Sequence, residues 1–159
     1  MNKLLMSKDK KTIKKVILYL LNSLGSKIEG KKKIMKLMFL LEHYDVDSGK
    51  ITQKQLLGND FYIYHYGVFS QGVMSDISQL IEKGLVKDGF PLTSNSTSEI
   101  SPDKDLKERV DRIIQKFGGY SGYQLEIKTL EMLGIKPHEK GQYFGQSIRK
   151  ILKQTQASN

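Results

Sequence analysis

The 159-residue chain contains no cysteine. That excludes disulfides and a thiolate zinc site, and it fits an intracellular, cytoplasmic location. No long uncharged apolar run is present, so no segment reads as a membrane span. The opening residues, Met1 to Met6, are too few and too soon followed by charge to form a secretory signal. Arginine occurs only at positions 109, 112 and 149. The positive charge is therefore almost all lysine, a good phosphate contact but a poorer base reader than the rigid arginine fork. The chain also lacks a Walker loop, a dinucleotide fingerprint, a nucleophile elbow and any internal repeat. Three histidines, at 43, 65 and 138, share no metal-ligand spacing. His43 reads as a helix-end residue near Glu42 and Asp45, and His65 as a half-buried residue among aromatics. Asp45, Asp47 and Asp60 lack the glutamate and ligand ladder of a calcium loop. The residues thus predict no catalytic, cofactor or metal site, and a protein that is not an enzyme.

What is present is an ordinary globular composition, 38% hydrophobic and 27% charged, over a length sufficient for one domain with a real core. The formal charge is +9, from 26 Lys and Arg against 17 Asp and Glu. Such an excess suits nucleic-acid binding. It suits solubility equally well.

The centre of the pattern is Phe61 to Ser70, read as an extended, half-buried segment broken by Gly67. Tyr62, Tyr64 and Tyr66 alternate, so an extended segment puts them on one side. They form either an exposed protein-contact row or a ring-rich face covered by C-terminal helices. Ser70 stands as the cap of a helix whose apolar face is Val73, Met74, Ile77, Leu80 and Ile81, closed by Gly84. Ahead of this centre, residues 1–11 read as a basic arm. A helix over Thr12–Leu24 follows, with Ile13, Val16, Ile17, Leu20, Leu21 and Leu24 on one face and Lys10, Lys11, Lys14 and Lys15 near its start. Positive charge there opposes the helix dipole, so phosphate contact or a solvated face is expected. A second helix, Lys31–His43, is apolar on most sides. Only the arc of Lys32, Lys33 and Lys36 is polar, which predicts a central buried helix with one basic edge. The polar connection Asp45–Asp60 has room for a turn of helix near Gln53–Leu57.

After the centre, Leu85–Leu92 and Thr93–Ile100 suggest two strands around a polar loop at 93–98. Helix, strand, loop and strand in that order predict a winged helix, although the loop carries no Lys or Arg. Ser101 and Pro102 predict the cap and first position of a fourth helix bearing Leu106, Val110, Ile113, Ile114 and Phe117. Ser121 and Gln124 match a capping box for a fifth. A last helix is expected over Glu139–Gln154, with Phe144, Ile148, Ile151 and Leu152 inward, followed by a frayed tail at 155–159. The expected class is mainly α, or α+β: a single winged-helix-like domain over 12–154 with a small antiparallel sheet and C-terminal helices at 102–154.

On that reading, Lys14, Lys15, Lys31, Lys32, Lys33 and Lys36 are candidate phosphate contacts, and Gln71, Ser75, Ser78 and Gln79 a candidate base-reading face. Tyr62, Tyr64 and Tyr66 are the candidate protein-binding residues. Asp76 and Glu82 count against a DNA-facing surface. Double-stranded DNA, a protein partner and a second copy of the chain are the expected partners.

The run Lys33-Ile34-Met35-Lys36-Leu37-Met38-Phe39-Leu40 resembles the helix signature of the Panacea domain, found in SocA-like antitoxins and phage-associated proteins. Phe61–Ser70 resembles the family's next block, an aromatic stretch that closes here in Tyr66-Gly67-Val68-Phe69-Ser70, with valine where the family has proline, and the following helix and Gly84-Leu85-Val86 continue the likeness. The likeness covers residues 12–130 and is nearest to small prokaryotic proteins described as predicted transcription regulators. It implies a mostly helical fold with winged-helix character. It also implies an antitoxin role, in which a partner toxin is neutralised and in some cases presented to a protease. No catalytic residue carries over.

Overall fold

The structure is a computed structural model that describes residues 10–95 and 101–157. Helix α1 (Lys10–Leu24) leads through a 3-10 turn (Gly25–Ile28) to α2 (Lys31–His43). Two short ribbons follow, β1–β2 (Tyr44–Asp45, Lys50–Ile51) and β3–β4 (Tyr62–Tyr64, Gly67–Phe69), and then α3 (Gln71–Glu82). A third ribbon pairs β5 (Val86–Lys87) with β6 (Thr93–Ser94). The chain closes with α4 (Lys104–Phe117), α5 (Gly122–Met132), a 3-10 segment (Pro137–Tyr143) and α6 (Ile148–Ala157). All three ribbons are two-stranded and antiparallel. The fold is thus a helical assembly with small antiparallel ribbons, and no described helix is long and apolar enough to cross a membrane.

Helix α2 organises the core. Every residue from Lys33 to Tyr44 is buried, and the helix packs against α3, α4, α5 and strand β4. One contiguous apolar cluster takes Val16, Ile17 and Leu20 from α1, Leu37 and Phe39 from α2, Ile77 from α3, Val110 from α4, Leu130 from α5 and Ile148 from α6. Surrounding α2 on all sides removes enough apolar surface from water to hold helices that would be marginal alone.

The caps follow the local chemistry. Ser70 Oγ accepts from the Val73 N–H and starts α3. Ser121 and Gln124 form a reciprocal capping box on α5. Both match their sequence expectation. Helix α4 does not. Its cap is Asp103, whose carboxylate accepts from Leu106 N–H at 3.0 Å, so Pro102 lies outside the helix. A carboxylate at the positive end of the dipole serves better there than the serine two residues earlier.

Several other expectations are corrected. Helix α1 begins at Lys10, inside the segment read as a basic arm, and residues 1–9 lie outside the described residues. Residues 45–60 contain the β1–β2 ribbon and bends, with no turn of helix at 53–57. The carboxylate of Glu42 organises this loop by accepting the N–H groups of Leu57, Gly58 and Asn59. The loop of the third ribbon is 88–92, not 93–98, because Thr93 and Ser94 pair with Lys87 and Val86. Residues 96–100 of the expected second strand lie outside the described residues. The last helix starts nine residues later than Glu139, at Ile148, and runs through Ala157, so residues 155–157 belong to it. Between them, residues 144–148 lie along β3: Gly145 N–H donates to Ile63 O, Ile63 N–H to Gln146 O and Ile148 N–H to Phe61 O. This edge pairing competes with helix formation and turns Phe144 outward, 42% exposed, where an inward position was expected.

Candidate functional site: an aromatic cleft over a buried lysine

The segment 61–70 is a hairpin, not one extended strand. Tyr62 pairs with Phe69, Ile63 with Val68 and Tyr64 with Gly67, leaving His65 and Tyr66 as the turn. Gly67 has φ +86°, and a Cβ there would meet Glu126 Cγ at 3.2 Å. Only glycine combines that backbone with so close an approach to α5.

Lys36 fastens this hairpin to α2. It is 2% exposed, and its Nζ donates to the carbonyls of Tyr66 and Val68, the latter at 2.9 Å. Both bonds satisfy main-chain oxygens beside the turn, which a buried carbonyl requires. Burial pushes the Lys36 amine down to about 7; the Glu126 carboxylate works the other way, while Lys32 and Lys140 add to the fall.

Above Lys36 lies a cleft of about 430 Å³ lined by Lys36, Tyr64, His65, Tyr66, Phe69 and Gln71. Its rim is ring-rich. Tyr64 is 41% exposed, Tyr66 68% and Tyr123 65%. Tyr64 packs edge-on to Phe69 with centroids 5.4 Å apart, and His65 packs edge-on to Phe144 at 4.8 Å. The Lys32 ammonium sits 4.9 Å from the Tyr66 ring centroid and 5.6 Å from that of Tyr123. Cation–π attraction of this kind fixes the rings with little loss of their exposure. Beside them, Glu126 is held between two lysines: Lys32 Nζ is 2.6 Å from Oε1 and Lys140 Nζ is 2.8 Å from Oε2. Burial works to raise the Glu126 carboxyl, but its bonds to Lys140 and Lys32 keep it below the usual carboxylate range.

Of the three tyrosines expected on one side, Tyr64 and Tyr66 line the cleft, whereas Tyr62 is half-buried and bridges to Ser147. Tyr62 and Tyr64 keep the alternation, their ring centroids 6.4 Å apart, and the turn at 65–66 ends it before Tyr66. The C-terminal segment covers one strand edge and leaves the two later rings open.

The candidate nucleic-acid residues are dispersed. Lys33 and Lys36 do not form an exposed basic edge. Lys33 is 2% exposed and donates to Lys27 O and Gly118 O, each at 2.7 Å, and burial lowers its pKa. Lys31 pairs with Asp88 at 3.4 Å, and Lys32 with Glu126. Lys14 Nζ donates to Gln79 Oε1 at 2.6 Å, and Gln79 Nε2 donates to Ser75 Oγ at 3.2 Å. Ser75 and Gln79 therefore turn toward α1. Lys15, Gln71 and Ser78 are exposed, and Gln71 belongs to the aromatic cleft.

Sequence reasoning missed Tyr123, Glu126, Lys140 and Phe144, which only the fold brings to the hairpin. The burial of Lys36 was not legible, because Lys32 and Lys33 stand one turn before it and make a polar arc with it. His65 is exposed at the turn instead of half-buried, and His138 is exposed. His43 is buried, with Nδ1 2.9 Å from Thr52 O and its pKa lowered by burial. A separate cleft of about 470 Å³ runs beside α4, lined largely by the charged side chains of Asp103, Lys104, Asp105 and Arg109. Among the described residues no group of three or more His, Asp and Glu is placed to hold a metal ion.

Comparison with protein-family models, curated proteins and solved structures finds no match.

Proposed function

We propose that this protein is a binding module that docks a partner protein on the aromatic face around the β3–β4 hairpin. The observation that carries the reading is the exposed Tyr64 and Tyr66 lining one cleft with a buried lysine at its base, flanked by exposed Tyr123, which shares the Lys32 ammonium with Tyr66, and Phe144, which packs on His65. Tyrosine supplies large, stiff contact area at low entropic cost and is enriched among residues that dominate binding energy. Lys36 and Gly67 hold the hairpin in place, so the rings are pre-organised and lose little freedom on binding. An antitoxin-like role, in which the partner is a toxin neutralised or presented to a protease, is the form that the Panacea resemblance favours.

A winged-helix regulator that binds double-stranded DNA has less support. The order α3, β5, β6 suits it, as does the +9 charge. Yet two of its six lysines are buried and three are engaged with Asp88, Glu126 or Gln79. The test is affinity purification of the tagged protein from its own cells, beside a Tyr66→Ala/Tyr123→Ala variant with an unchanged melting curve. A partner recovered in fixed stoichiometry with the wild type and lost with the variant is expected. Recovery of no such partner, or equal recovery by the variant, overturns the proposal.

A further inference from the structure

The rim of the cleft carries a charge imbalance that says what kind of partner segment fits it. Two ammonium groups, on Lys32 and Lys140, share a single carboxylate, Glu126. The carboxylate is inside, with its side chain 8% exposed. Lys32 and Lys140 reach outward, their side chains 33% and 27% exposed. One carboxylate cannot neutralise both, so the surface beside the cleft carries a positive charge in excess, next to rings that offer apolar contact.

We propose that the cleft receives an acidic segment of a partner protein, with an apolar side chain seated among Tyr64, His65, Tyr66 and Phe69 and a nearby carboxylate against Lys32 and Lys140. This rests on the reading of the aromatic face as a docking surface, and it adds the chemistry of the occupant. Lys36 joins the two halves, since it lines the cleft and is electrostatically coupled to Glu126, Lys32 and Lys140. The overall charge of +9 steers an acidic partner toward the molecule, and complementary rim charge sets register and on-rate. An ammonium already stacked on Tyr66 and Tyr123 is pre-positioned, so a carboxylate meeting it orders little that is not ordered beforehand. A nucleic-acid strand is less well served, because a phosphate backbone needs a longer run of accessible cations than the two lysines beside the cleft.

The probes are fluorescein-labelled peptides alternating glutamate with phenylalanine, matched peptides with glutamine or lysine replacing glutamate, and a labelled DNA duplex. Binding is followed by anisotropy at low and moderate salt. The acidic peptide is expected to bind best, to weaken with salt, and to lose on the order of tenfold in affinity in Lys32→Gln/Lys140→Gln, as rim-charge and hot-spot losses generally do. Tyr66→Ala is expected to weaken the acidic and the glutamine peptides alike. Equal binding of acidic and glutamine peptides, both lost in Tyr66→Ala, overturns the acidic occupant and leaves the docking surface standing. No binding by any peptide overturns both. Tighter binding of the duplex, lost in the lysine variant, overturns both in favour of the nucleic-acid reading. Glutamine at 32 and 140 can still donate a hydrogen bond to the buried Glu126 but no longer balances its charge, so thermal melts of the variants check that the fold is kept.

Discussion

Replacing Lys36 with methionine tests the anchor beneath the cleft. Methionine keeps the length and apolar stem but removes the ammonium that serves the Tyr66 and Val68 carbonyls. Hydrogen bonds to a charged group contribute about 1.5–3 kcal/mol each, so the loss is roughly 3–6 kcal/mol. Against it stands the relief of no longer burying an ammonium, itself worth several kcal/mol, about the same size. The two nearly cancel at low pH and separate as pH rises. The folded pKa is about 7, lowered by burial from 10.5. Below pH 7 both folded and unfolded chains hold the proton, and stability does not depend on it. Between about 7 and 10.5 the unfolded chain keeps a proton that the folded chain has shed, so wild-type stability rises with pH. From pH 7 to 9 the gain is about 2.5 kcal/mol, at roughly 1.4 kcal/mol per unit. The variant lacks this slope, while every group common to both proteins contributes equally. Urea denaturation across pH 6–9.5 should therefore show Lys36→Met close to wild type at pH 6 and increasingly less stable by pH 9. Parallel curves would refute a buried, titrating Lys36.

Glu42→Ala removes the acceptor for three backbone N–H groups in the 57–59 loop and should cost roughly 3–9 kcal/mol by urea denaturation, each orphaned donor costing about 1–3. Glu42→Gln, which keeps one oxygen, should lie between. Gly67→Ala should lower stability by about 2 kcal/mol through the left-handed backbone, with further loss as Glu126 and Leu130 are pushed aside. Its melting curve should fall below that of Gly84→Ala, a site with φ +77° and open space around it. Ser121→Ala should cost about 0.5–2 kcal/mol through the capping box of α5, read from the thermal midpoint.

The helices were legible wherever apolar periodicity met a cap. Helix α2 occupies the expected residues 31–43, and Ser70 and Ser121 cap as their spacing predicts. Legibility failed where long-range pairing overrode local pattern. Phe144 carries the right spacing for an inward helical position, but its segment bonds to β3 and the helix begins later. The lysines of α2 look like a polar edge because periodicity counts them as polar. Their stems are long enough to cross the core boundary and deliver ammonium groups to carbonyls of Lys27, Tyr66, Val68 and Gly118. Part of the cleft was readable, since Tyr64 and Tyr66 stand out in the sequence. Its surroundings, Tyr123, Glu126, Lys140 and Phe144, lie more than fifty residues further on and are brought beside it only by the packing of α5 and the 144–148 segment.

The most direct measurement is an NMR titration of the ring-labelled protein with the glutamate–phenylalanine peptide. Docking at the proposed surface predicts saturable shifts of the Tyr64, Tyr66, Phe69 and Tyr123 resonances, with the buried Phe39 ring and the half-buried Tyr19 ring unmoved. Shifts confined to other aromatic residues, or none at saturating peptide, would contradict it.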